Sequence, residues 1–419
     1  MKRAPASLSI VAMAVLALLP GVSLGTALTW DGGPGGTGRA WETAANWNPD
    51  QVPVAADTLQ INSNSSQANP VVIATAPAVA TSLTLGYSGQ TGYLAISNNL
   101  TLSGLFDVGR KGTAGNVGMA TQTAGTVSVG SISIQSGGIN LGQYNLSGGT
   151  LAVGTTFTMG RGDTDCHGKF YQTGGTVTVG TTFQVGFGGA TGTGTSLYSM
   201  TAGSLTVSGN SVIGYKNTAG NDFIQSGGTA SFSTIELGKA HASGGSGAGT
   251  ITLSDAANFT SGTLTVGINA APNTGVGTVV LDGSKTGAGT NMTVNGNFLL
   301  NTANSTLKGV IDSDAIATAT AMRKVEVTGN VTFAAGSLLL PVFDSLATPT
   351  AGTWTLMSWT GTLTNNGLAF DSSVDTSKWS FLADATAKTL TVTYIPEPAT
   401  MALLSVGGAL MMLKRRRSA

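Results

Sequence analysis

The chain has 419 residues, of which only 9% are Asp, Glu, Lys or Arg, with 19 basic against 19 acidic side chains, 61 glycines and a single cysteine. An ordinary globular domain is about 25% charged, so few groups remain for acid–base chemistry. Zero net charge gives no electrostatic case for a nucleic-acid partner, and a lone cysteine excludes an internal disulfide. Low charge alone would suggest disorder, yet disordered chains are poor in β-branched residues and this one is rich in Val, Ile and Thr, so the composition reads as all-β.

In chain order, Lys2 and Arg3 precede an apolar core from Leu8 to Leu19, then Pro20 and the small residues Gly21, Ser23, Gly25 and Ala27. This is the pattern of a secretory signal peptide over residues 1–27, which calls for the Sec machinery and signal peptidase as partners and places the body outside the cytoplasm. Residues 28–79 crowd Trp30, Trp41 and Trp47 together. A solenoid needs a cover over its first coil, and clustered indoles supply one; the competing reading is an aromatic platform for sugar.

Residues 80–307 repeat. Gln122-Thr123-Ala124-Gly125-Thr126-Val127 returns as Leu146 to Leu151, Gln172 to Val177, Met200 to Leu205 and Gln225 to Ala230. Each unit holds three short β segments separated by glycine turns, with alternation that sends Val177 and Val179 inward and Thr176 and Thr178 outward. One coil cannot bury its apolar face, whereas stacking at about 4.8 Å pairs every strand above and below, which predicts a right-handed parallel β-solenoid of roughly eight coils with glycines at positive-φ corners. Two inward ladders are expected. The first is Val108, Leu141, Met159, Val185, Ile213, Leu237 and Val266; the second is Phe106, Ile139, Phe157, Phe183, Ser211, Ile235 and Leu264, with Ser211 a misfit. Thr29-Trp30-Asp31-Gly32-Gly33, Ala45-Asn46-Trp47 and the Ser147 to Leu151 unit resemble surface proteins with autotransporter-associated β-strand repeats.

From 308 to 394 the glycine signature stops and Trp354, Trp359 and Trp379 stand among alternating segments, which reads as a small C-terminal β-domain or cap. Asp312 to Arg323 is alanine-rich and reads as a helix or a loop over the last coils. The last segment, 395–419, combines Pro396-Glu397-Pro398, an apolar run over 399–413 and the basic cluster Lys414, Arg415, Arg416 and Arg417. Fifteen helical residues rise about 22 Å, enough to cross a bilayer marginally as a single transmembrane helix, with the cations holding the C-terminus in the cytoplasm. The order resembles the PEP-CTERM sorting signal. That resemblance implies an exosortase-type sorting enzyme as partner, transient anchoring in the inner membrane, and delivery to the cell surface or extracellular matrix.

Little chemistry is visible. Glycoside hydrolysis needs paired carboxylates about 5–10 Å apart; the body before the tail holds only three glutamates, Glu42, Glu236 and Glu326, far apart in sequence, and its aspartates stand mostly in turn-like contexts such as Asp31-Gly32 and Asp282-Gly283. Asp163, Asp165 and His167 alternate and make a candidate metal triplet beside Cys166, against which stands the simpler reading of a solvated loop between coils. Arg110, Lys111, Arg161, Lys216 and Lys239 follow the glycine that closes the third strand in several coils, with Gln143 and Phe187 interrupting. Stacked, they would form a broken basic stripe able to hold an anionic extracellular polysaccharide. The expectation is a non-enzymatic structural or adhesive protein without catalytic residues, metal or cofactor. The alternatives are a polysaccharide lyase or glycosidase on a β-helix, or a module that binds matrix polysaccharide.

Overall fold

The computed structural model describes residues 25–396 apart from 88, 111–116, 137–139, 163–165, 189–193, 217–219, 243–244, 284–290, 312–321, 346 and 348. It is a parallel β-solenoid of about 11 turns. A coil is well represented by residues 150–172. Thr150–Val153 and Thr156–Met159 form two arms of a 22-stranded sheet, and Cys166–Gln172 crosses to a 12-stranded sheet. In other coils the two arms run into one strand, as in Ser204–Tyr215 and Thr229–Lys239.

Alternation inside the arms holds as the sequence indicates: Val177, Val179, Leu151, Val153, Leu205 and Val207 are buried, each 3% exposed or less. The glycines of the repeat signature, Gly125, Gly149, Gly175, Gly203 and Gly228, all have positive φ. A side chain there would also collide with the coil beneath; a Cβ on Gly203 would lie 2.3 Å from the Gly175 carbonyl oxygen. Both constraints make any other residue costly at these corners.

The expected ladders need two corrections. Val108 pairs with Ile134, which pairs with Met159, so Ile134 and not Leu141 occupies that rung. Leu141 lies in the smaller sheet, opposite Val117 and His167. In the second ladder Ile132 stands between Phe106 and Phe157, and Ile139 lies outside the described residues. The cause is Gln135, which has φ 59° at the corner where the neighbouring coils place Gly109 and Gly160, so the glycine marker is missing from this coil. Ser211 is in register and fully buried.

The larger sheet also extends beyond residues 80–307. Leu28, Leu59 and Leu83 lead into Phe106, and Leu264 continues through Phe298 and Val331 to Leu363. Both ends close with antiparallel strands. At the start Trp47–Asn48 pairs antiparallel with Ala27–Trp30. Trp30, Trp41 and Trp47 pack edge to face at 5.0 Å and are 0–3% exposed, so no indole is open to a sugar. At the far end Thr389–Tyr394 pairs antiparallel with both Gly352–Trp359 and Trp379–Asp384. Among the described residues no helix is long and apolar enough to cross a membrane. The 399–413 run and the signal segment 1–24 lie outside the described residues.

The core is not wholly apolar. In the smaller sheet Ile96, Gln122, Leu146, Gln172, Met200, Gln225 and Leu253 form one inward column, and the three glutamines are 0% exposed. Gln122 Nε2 donates to the carbonyls of Gly125 (3.1 Å) and Thr150 (3.0 Å) while its Oε1 accepts from Tyr144 Oη at 2.7 Å. Gln172 repeats the arrangement with Gly175, Ser204 and Tyr198. Each amide thereby pins a glycine corner to its neighbouring coil from within. Tyr144, Phe170, Tyr198 and Phe223 stack in succession at 5.2, 4.7 and 5.3 Å, an aromatic column whose spacing follows the strand repeat.

Candidate binding surfaces

Of the sorting motif only Pro396 is described; it follows Ile395, which is 60% exposed and whose N–H donates to the Lys378 carbonyl at 2.8 Å. Glu397, Pro398, Lys414, Arg415, Arg416 and Arg417 lie outside the described residues.

Most of the basic stripe does gather at one corner. Arg110, Arg161 and Lys239 each follow a positive-φ glycine, Gly109, Gly160 and Gly238. Backbone hydrogen bonds and pairing align them in one column that also contains Tyr87, Ser136, Phe187 and Tyr215. Lys216 sits one residue beyond, because Tyr215 takes the column position after Gly214, and Lys111 lies outside the described residues. Ser136, not Gln143, interrupts the column in its coil; Gln143 belongs to the smaller sheet.

The corner is less cationic than a list of its basic residues implies. Asp107 is 3% exposed, accepts from Ser136 Oγ at 3.0 Å and has Arg110 Nε 3.9 Å away. Burial pushes its carboxyl up to about 6, against the opposing pull of the Ser136 hydrogen bond, Arg110 and Arg161. Lys239 is paired with Glu236 at 2.6 Å. Phe187 and Tyr215 stack at 5.1 Å, and Lys216 and Lys239 lie over the Tyr215 ring at 5.2 and 6.0 Å. Tyr215 therefore offers little free face for sugar stacking, and two of the cations already have carboxylate partners.

The candidate metal triplet is not assembled among the described residues. Asp163 and Asp165 lie outside them, His167 Nδ1 accepts from the Thr195 N–H at 3.3 Å, and no group of three His, Cys, Asp or Glu there could hold a metal. The three glutamates are each engaged locally: Glu42 with Thr75, Glu236 with Lys239, and Glu326 with Lys324 and Asn291.

Sequence reasoning missed the most regular surface of the molecule. On the first arm of the larger sheet Thr126, Thr150, Thr176, Ser204 and Thr229 form one outward column, and Thr101, Ser128, Ala152, Thr178, Thr206 and Ser231 a second. A groove of about 480 Å³ runs between the arms across these coils, bordered by Gly130, Gly154 and Gly180. The signal was present in the outward threonines, but which threonines stack became clear only from the register.

No family model, curated protein or solved structure matches this chain.

Proposed function

We propose that this is an exported, non-enzymatic structural or adhesive protein, sorted to the cell surface or extracellular polysaccharide matrix through its C-terminal tail. The observation that carries the reading is the ordered combination of Pro396-Glu397-Pro398, the 399–413 apolar run taken as a transmembrane helix, and Lys414 to Arg417. A continuous solenoid of short coils supports a spacer or scaffold, and the coil is read as right-handed from the crossover rule. On this reading a signal peptidase cuts after Gly25 or Ala27, and an exosortase-type enzyme handles the tail after transient inner-membrane anchoring.

The enzyme alternative draws on two carboxyls that burial raises, Asp107 beside Arg110 and Arg161 and Asp222 in the smaller sheet. The two stand on different sheets, and Asp107, 3% exposed, is closed to a polymer substrate. The test is the intact mass and C-terminal peptide of the protein from each fraction of its native cells. A form cut near Pro396 and recovered outside the inner membrane is expected. A full-length chain confined to the inner membrane would make the tail an ordinary anchor. Replacing Pro396, Glu397 and Pro398 with alanine should hold the protein in the inner membrane.

A further inference from the structure

We propose that the outer face of the larger sheet's first arm, with the groove beside it, binds an extended neutral polysaccharide laid along the rod. The proposal rests on the matrix reading above and names the ligand class and its seat.

The face carries no charge, in keeping with a chain of which only 9% of residues are Asp, Glu, Lys or Arg, and from Thr101 to Thr293 the outward column consists of Thr, Ser and Ala over eight consecutive rungs. The parallel column from Thr126 runs through hydroxyl residues to Asn258. Neither column holds an aromatic, a leucine, a methionine or an arginine, the anchors on which protein partners are gripped. A charged polymer has nothing to pair with here. A neutral glycan does: rows of hydroxyls that donate and accept, repeated about every 4.8 Å along the rod.

Two further features suit a long chain. Gly130, Gly154 and Gly180 keep the groove open at three successive coils, and at Gly180 a Cβ would lie 2.2 Å from the Gly154 carbonyl oxygen, so no side chain can fill that point. Threonine on a strand has a stiff χ1, so the hydroxyl rows are set before binding and little side-chain freedom is lost on contact. Each contact is weak, and the length of the face makes the sum. The other two candidate sugar surfaces are compromised, because the N-terminal indoles are buried and the basic corner is partly neutralised.

The experiment is affinity electrophoresis of the full mature protein through gels containing neutral glycans (hydroxyethyl cellulose, xyloglucan or galactomannan) and, separately, alginate. Ala152→Glu and Thr178→Glu place a charge in the groove from outward positions, leaving the core untouched. The expected result is retardation by at least one neutral glycan, unchanged by salt, and weakened roughly tenfold or more by either substitution. Thermal melting followed by circular dichroism should match wild type. No retardation in any neutral gel, or retardation indifferent to both substitutions, overturns the proposal. Retardation in alginate alone, abolished by salt, overturns it in favour of the basic corner. Recovery of a neutral-glycan-binding protein only from the inner membrane would leave this face standing while sinking the matrix reading.

Discussion

The buried glutamines show how single residues hold the coils together. Tyr198 Oη donates to Gln172 Oε1 at 2.7 Å with both residues 0% exposed. Tyr198→Phe leaves that acceptor unsatisfied and is expected to cost about 1–3 kcal/mol in chemical denaturation, as is Tyr144→Phe beneath Gln122. Gln225 provides the internal contrast: Ile251 stands where the tyrosine would be, and Gln225 Oε1 has no partner among the described residues. Asp107 gives a pH prediction with a definite sign. Its carboxyl is raised from 3.8 to about 6, mainly by burial, so the folded protein keeps a proton that the unfolded chain has lost. Its contribution is therefore most favourable below the unfolded value and falls by up to about 3 kcal/mol as pH rises to the folded value. Asp107→Asn should remove this slope, raising the melting temperature relative to wild type at pH 7 but not at pH 4. Parallel melting profiles for the two proteins would place the ionisation elsewhere.

At the scale of the coil, glycine positions differ in what they tolerate. Gly214 has φ 76° and a Cβ there would lie 2.0 Å from the Ala248 carbonyl oxygen, whereas at Gly154 the nearest atom is 3.6 Å away. Gly214→Ala combines strained backbone with a collision against main chain and should cost more than about 2 kcal/mol. Gly154→Ala should be neutral or stabilising by up to about 1 kcal/mol through the unfolded chain. Equal melting temperatures for the two variants would refute the assignment of corners. The same glycines explain what was legible in the sequence. Where a coil keeps its glycine corner, as at Gly160, Gly186 and Gly238, the ladder residues before it could be read directly. Where Gln135 takes the corner, the marker is missing and the glycine pattern points on to Leu141, which lies in the smaller sheet. The end segments read as separate units in the sequence because they lack the signature, although strand pairing needs only alternation and carries the ladder through Val331 and Leu363. The basic corner was legible in outline. Its carboxylate partners were less so: Asp107 lies on the outward side of its strand yet is buried, and alternation says nothing about what covers an outward residue.

For the whole molecule, a rod of stacked coils has two ends at which unpaired backbone would recruit another chain. The far end is closed by Thr389–Tyr394, which covers the free edge of Gly352–Trp359 with antiparallel hydrogen bonds and is itself covered by Trp379–Asp384. Leu390 and Val392 are fully buried, so these strands also seal the core. Phe343, Trp379 and Tyr394 pack together at 4.9–5.3 Å to fix the closure. A chain ending at residue 374 would present an apolar eight-residue strand as an open edge. It should fold over most of its length, because each coil contacts chiefly its neighbours, but associate through that end. Light scattering after gel filtration should find the truncated protein in concentration-dependent oligomers under conditions where the chain retaining these strands is monomeric. A truncated protein that stays monomeric at every concentration would mean that the last parallel coil protects its own edge, and that the closing strands serve the core alone.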